Sequence, residues 1–328
     1  MIPTPNRRTF LATGTAALAL TATGTRAQAK PTLRFSAVFS EQDIRAEMMK
    51  RFTAAVANDY TMQNYFGGNL FKQGTELVAM QRGNLEMGNI APQDVSNQIP
   101  AWSIMTAAYL FRDADHMSKV FASDVGQQLK KMAEDQLGIR ILAPTYFGSR
   151  HVGLRGKKKI NTPADLAGVK LRMPGGDAWQ FLGRSLGANP VPMAYAEVYT
   201  GLQTGAIDGQ DNPLPNVQNM KFYEVSGQIV LTSHLVGFDL LTVSAKTWGA
   251  MSAAKQREFQ AAADAAVGWS NAEHAKKEKE LVDFFKAQGL DVYAPDQKAF
   301  REHAQKMYLA SDLAKSWPAG MLEKINAL

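Results

Sequence analysis

The sequence predicts an α/β protein of two lobes, and three observations lead to that class. Past a leader that ends near Ala29, the chain keeps about 300 residues, more than one hydrophobic core usually serves. Over most of that length, short apolar runs alternate with stretches of helical apolar spacing, the pattern of layered strands and helices with parallel pairing. Residues 253–288 contain no proline, one glycine and many Ala, Glu and Lys, which predicts a helix of roughly 50 Å at 1.5 Å per residue. One lobe of this size does not need such a helix, so it is expected to span both; two ordinary helices broken at Gly268 are the other reading.

In chain order, residues 32–38 alternate and then run apolar, as a buried first strand does. Residues 41–56 follow, with Ile44, Met48, Phe52 and Val56 on one face of a helix. An extended 60–66, a Gly67-Gly68-Asn69 turn, a helix over 75–81 and a Gly83-Asn84 stop precede a strand over 85–90. Strands are read over 139–146, 151–154 and 169–173. Between the last two, Asn161-Thr162-Pro163-Ala164-Asp165 is a capped helical turn with Pro just inside. Helices are expected over 177–186, 194–204 and 214–222.

The first 29 residues read as an address rather than as structure. Arg7-Arg8-Thr9-Phe10-Leu11 leads into an uncharged, small-residue run over 12–25, and Ala27-Gln28-Ala29 supplies the small residues a signal peptidase requires. The paired arginine resembles a twin-arginine export signal, with an ordinary Sec signal as the alternative, so the mature chain is expected in the periplasm. The run is too short, and too rich in Thr and Gly, to cross a bilayer core of about 30 Å. Losing Arg7, Arg8 and Arg26 lowers the formal charge from +6 to +3, which gives no reason to expect a nucleic-acid partner. The chain has no cysteine, which excludes disulfides, thiolate catalysis, Cys-based metal sites and a lipid-attachment residue.

The chemistry concentrates in three segments. They are Val169-Lys170-Leu171-Arg172-Met173-Pro174, Pro192-Met193-Ala194-Tyr195-Ala196-Glu197-Val198-Tyr199, and the stretch from Leu202 through Asp208-Gly209-Gln210-Asp211-Asn212 to Pro213. Arg172 falls at the end of a predicted buried strand, on the edge where open α/β sheets hold their ligands. A planar fork of donors in a partly desolvated cleft suits a carboxylate. A structural salt bridge to a neighbouring Asp or Glu is the competing reading, and residue type alone favours it.

Together with Tyr109-Leu110-Phe111-Arg112-Asp113, Gly148-Ser149-Arg150 and Lys221-Phe222-Tyr223-Glu224-Val225, these segments resemble the DctP-type solute-binding proteins of tripartite ATP-independent periplasmic (TRAP) transporters. The likeness covers essentially the whole mature chain and is densest over 150–247. It implies a two-lobed periplasmic-binding-protein fold with hinge strands and a long interdomain helix. The implied lobes are 30–149 with about 238–270, and 150–237 with about 285–328, the helix occupying about 253–288. The family's arginine that grips the ligand carboxylate matches Arg172, its orienting asparagine matches Asn212, its second arginine matches Arg150, and its cleft-lining aromatic matches Tyr195. Asn89, Phe39, Trp179 and Phe238 are further wall candidates, each also readable as packing. The implied partners are a small organic carboxylate and the membrane permease; no cofactor or metal is implied, and the protein is expected to be a monomer.

Two departures qualify the match. Ala107-Ala108-Tyr109 stands where the family has Leu-Pro-Phe, and the positions that carry polar pocket residues in sialic-acid binders are Val38 and Ala91 here. Apolar walls would leave sugar hydroxyls unpaired at about 1–3 kcal/mol each, so a smaller or less hydroxylated acid than sialate is expected. Enzymatic readings find little support. The five histidines show no H-E-x-x-H spacing and there is no G-x-S-x-G elbow. His151 and His234 are read as cleft groups or as hydrogen-bonded structural residues. Asp208-Gly209-Gln210-Asp211-Asn212 lacks the ligand alternation of a calcium loop and is read as a turn feeding a helix. The basic run 155–159 is read as a solvated turn. A ligand-sensing subunit and a periplasmic enzyme acting on carboxylates remain the alternative functions.

Overall fold

The computed structural model describes residues 29–328, so the export-signal reading of Arg7-Arg8 lies outside the described residues. Among the described residues nine strands make one sheet: β1 Thr32–Ser36, β2 Thr61–Tyr65, β3 Met87–Ile90, β4 Ile139–Leu154, β5 Lys170–Met173, β6 Asn189–Pro192, β7 Gly209–Pro213, β8 Gln228–Ser244 and β9 Asp291–Tyr293. Their order is β2-β1-β3-β8-β4-β7-β5-β6, with β9 added beside the start of β8. β1 pairs in parallel with β2 and β3, and β5 with β6 and β7, as βαβ units require. The expectation of parallel pairing fails only where β3 and β7 meet the long strands, and where these meet each other, because β4 and β8 run antiparallel to their neighbours there.

β4 and β8 carry the chain from one half of the molecule to the other. The first half of β4 pairs only with β8; its second half, 150–154, also takes β7, while β8 takes β3 at one end and β9 at the other. The break expected between 146 and 151 is a bend inside one continuous strand. The register slips between Tyr146 and Gly148, and Gly148 sits at φ +113°. A Cβ on Gly148 would come within 2.8 Å of the Pro213 side chain, so the crossing is closed to any larger residue.

The long helix is continuous from Ala253 to Ala287, started by Ser252, whose hydroxyl accepts from the Lys255 N–H. Gly268 does not break it. The position is exposed with open space around it, and one glycine in a long helix costs only about 1 kcal/mol. Its N-terminal half buries Phe259, Ala263 and Val267 in the core built on β1 and α1 (Ile44–Val56); its C-terminal half buries Leu281 and Phe285 in a separate core with Val198, Leu202 and Phe222. Between them the helix grips the β4 bend: Tyr146 N–H donates to Asn271 Oδ1 (2.9 Å), Ser149 N–H to Glu278 Oε1 (2.7 Å) and Tyr146 OH to Glu278 Oε2 (2.6 Å). The first two serve backbone N–H groups on either side of the register slip.

The segment over 208–212 is corrected by the structure. Gly209–Pro213 is the wholly buried strand β7, not a turn. Its polar side chains gave no apolar run to read, because Gln210, Asp211 and Asn212 are buried as a hydrogen-bonded network. Tyr109, in the loop that departs from the family pattern, adopts φ +59° and ties back to β8 through its N–H to His234 O (2.9 Å) and its OH to Thr232 O (3.0 Å).

Candidate functional site

Where the two halves meet, a cavity of about 230 Å³ opens beyond the carboxyl ends of the parallel strands. Val38 and Phe39 follow β1, Asn89 and Ala91 sit at the end of β3, Arg172 and Pro174 to Gly176 at the end of β5, and Asn212 in β7. This is the edge where an open α/β sheet leaves its crevice. The walls also include Gln73 and Glu76 from the segment before and within α2 (Glu76–Gln81), and Asp94 and Asn97 from α3 (Pro92–Ser96) and its C-cap.

Arg172 is 1% exposed and touches no carboxylate among the described residues. Its Nε donates to Met193 O (2.9 Å) and its Nη2 to Gln73 Oε1 (3.0 Å). Burial lowers its pKa to about 10, with Asp211 opposing and Arg150 adding to the shift, so the guanidinium stays protonated at neutral pH. A buried cation held only by neutral oxygens at a cavity wall is an anion site by its electrostatics.

The salt bridge weighed for Arg172 forms instead at Arg150. Its Nε and Nη2 fork onto the two carboxylate oxygens of Asp211 at 2.7 and 2.9 Å. His234 Nε2 adds a third contact to Asp211 at 3.1 Å. Although burial disfavours the Asp211 charge, Arg150 and His234 hold its carboxyl far below the usual range. An ionised Asp211 can only accept, so the neutral His234 donates from Nε2 and receives the Thr232 hydroxyl at Nδ1 (2.8 Å). Arg150 therefore presents donors to the cavity with its charge already balanced. His151 accepts from the Ser233 N–H (3.2 Å), and burial lowers its pKa to about 3. Both histidines are hydrogen-bonded structural residues outside the cavity lining.

The remaining candidates divide. Tyr195 lines the cavity with its ring against Phe222, donates its N–H to Gln73 Oε1 (2.9 Å) and accepts at its hydroxyl from Asn216 Nδ2 (3.1 Å). Asn212 donates to Gln210 Oε1 (2.6 Å), Asn89 donates to Asp239 Oδ2 (2.6 Å), and Trp179 lies under the Arg150 guanidinium at 4.8 Å. Phe39 lines the cavity and Phe238 does not. Side chains alternate along β8: Asp239 takes the cavity face, which turns Phe238 into the core against Phe111 and Phe121.

Sequence reasoning missed a third buried cation. Arg45 is 2% exposed between the rings of Phe39 and Phe147, at 4.4 and 4.2 Å, and pairs with both Asp43 and Asp239 at 2.8 Å. A signal was present, because Arg45 falls on the apolar stripe of α1 with Met48, Met49 and Phe52, where a charge is out of place. Gln73, Glu76 and Asp94 were missed as well. Val38 and Ala91 do line the cavity as expected, but with Gln73, Glu76, Asp94, Asn97 and Asn216 on the same walls the pocket is not apolar. These walls therefore offer polar partners to ligand hydroxyls.

With this geometry in place, residues 35–312 match the family model described as bacterial extracellular solute-binding protein, family 7. The chain belongs to that family. A TRAP periplasmic solute-binding protein from Roseobacter denitrificans with bound 3-deoxy-D-manno-oct-2-ulosonic acid is similar at 47% identity and TM-score 0.89, over 91% of this chain and 99% of that one. A TRAP periplasmic solute-binding protein from Polaromonas sp. JS666 bound to D-erythronate is similar at 27% identity and TM-score 0.84, over 91% and 99%. The sialic acid-binding periplasmic protein SiaP of Vibrio cholerae is 36% identical over 215 residues, 65% of this chain and 66% of that protein. These relatives place this family 7 protein among solute-binding proteins of transport. No helix among the described residues is long and apolar enough to cross a membrane.

Proposed function

We propose that this family 7 protein is exported by a twin-arginine signal removed after Ala29 and works in the periplasm as a monomer, capturing an organic acid between its lobes and delivering it to TRAP-type permease subunits. One observation supports this above the others: Arg172 is a buried guanidinium at a cavity wall with no carboxylate partner of its own. The ligand carboxylate takes that place, clamped through charge-assisted bonds, with Arg150 and Asn212 orienting it and Tyr195 and Trp179 as walls. Relatives crystallised with 3-deoxy-D-manno-oct-2-ulosonic acid and D-erythronate support a carboxylate ligand here.

The lobes are taken as 30–149 with about 238–270, and 150–237 with about 285–328. Gln73, from the first, accepts from both Arg172 and the Tyr195 backbone, from the second, so closure and the carboxylate site share one residue. Binding shifts an existing open–closed equilibrium through such differential contacts. Micromolar affinity needs only about 8 kcal/mol, within reach of one clamped carboxylate and modest further contact. Arg172→Ala is expected to keep the fold and lose acid binding in calorimetry, and Arg172→Lys to bind poorly because a point charge cannot reproduce the fork. Wild-type affinity in either variant would show that Arg172 is structural.

A further inference from the structure

The cavity is polarised. Arg150 and Arg172 stand on one wall, while the wall supplied by α2 and α3 carries Glu76 and Asp94. Glu76 is 3% exposed, yet its Oε1 has no hydrogen-bond partner among the described residues. Asn216 Oδ1, also in the cavity wall, is likewise buried and unpartnered. Both atoms are acceptors, so what they lack is a donor. Neither acid is in an ion pair among the described residues, which distinguishes them from Asp43, Asp211 and Asp239 in the same region.

Three ligand chemistries would meet this wall differently. An alkyl end leaves Glu76 Oε1 unsatisfied, and a second carboxylate brings no donor to Glu76 Oε1 or Asn216 Oδ1 and repels either acid once it ionises. Hydroxyl groups bring donors without charge and can also accept from a protonated carboxyl. No cluster of three or more His, Cys, Asp or Glu side chains that could hold a metal ion occurs among the described residues.

We propose that Glu76 and Asp94 form a hydroxyl-recognising wall that makes the site selective for polyhydroxylated monocarboxylates over dicarboxylates and over unhydroxylated acids. The proposal rests on the carboxylate reading of Arg172 and adds what the rest of the ligand must be. It assigns the choice among acids to the wall opposite Arg150 and Arg172.

Calorimetry at pH 7 on the purified protein tests this with 3-deoxy-D-manno-oct-2-ulosonate, D-galactonate, galactarate, hexanoate and 6-aminohexanoate. Galactarate differs from galactonate only in a second terminal carboxylate, and hexanoate lacks the hydroxyls. The better of the two polyhydroxy monocarboxylates should bind at least tenfold more tightly than any of the other three. Glu76→Leu should cost it at least tenfold without weakening hexanoate. Asp94→Asn, which preserves shape, should narrow its advantage over galactarate. If galactarate, hexanoate or 6-aminohexanoate binds as well, and does so only with Arg172 present, the wall is misassigned while the carboxylate site stands. If none of the five acids binds, both readings fail together.

Discussion

A charge without a partner is the informative kind of residue in this chain, and burial decides what each one means. Arg45, Arg150 and Arg172 are all at most 4% exposed, but Arg45 has two aspartates, Arg150 has one and Arg172 has none. Only the third is left to be completed from outside. Glu76 is its counterpart of opposite sign: burial pushes its carboxyl up to about 8, with Asp94 adding to the shift and nearby backbone N–H groups opposing it. A carboxyl whose folded pKa lies above its unfolded value supports the fold while protonated and loses that contribution as pH rises toward the folded value. From pH 6.5 to 8, His151, His234 and His274, which are neutral in the fold but partly protonated in the unfolded chain at the lower pH, work in the opposite direction, so the stability lost through Glu76, up to about 2 kcal/mol at 1.36 kcal/mol per pH unit, is read as the difference from a Glu76→Gln variant. Denaturant unfolding at the two pH values, compared with Glu76→Gln, measures this; equal slopes in the two proteins would contradict it. Arg172, Arg150, Asn212 and Tyr195 were legible because they sit in segments that resemble a family's. Gln73, Glu76 and Asp94 were not, because an isolated polar residue on a short helix has no spacing to betray that it faces a cleft.

Elements were legible where periodicity was strong and failed where function overrode it. The helix Ala253–Ala287 follows from composition alone, and its interior Gly268 is an exposed concession rather than a break. Gly268→Ala has open space for its methyl group and should stabilise the protein by up to about 1 kcal/mol, read as a raised Tm with ligand affinity unchanged. A lowered Tm would mean that the helix bends at that point. β7 is the opposite case. A strand of Gly209, Gln210, Asp211, Asn212 and Pro213 has no apolar signal, because its side chains are spent on Arg150, His234 and the cavity wall. The two strands read on either side of Gly148-Ser149-Arg150 are one strand, since a glycine at φ +113° bends β4 without ending it.

On the scale of the whole molecule, two lobes were expected from length, and the structure adds how they are joined. β4 and β8 cross between the halves, and the long helix lies over the crossing with one end in each core and Asn271 and Glu278 bonded to the β4 bend. The cavity lies at the same junction, so any motion that opens it must work against those bonds and against Gln73 on Arg172 and Tyr195. The central claim is that an acid from outside completes Arg172 within that junction. A crystal structure with the tightest-binding acid of the calorimetric panel tests this most directly. The account predicts the ligand carboxylate within hydrogen-bond distance of the Arg172 guanidinium, about 2.7–2.9 Å, with hydroxyls on Glu76 and Asp94. An acid bound elsewhere, or one whose carboxylate points away from Arg172, would contradict it.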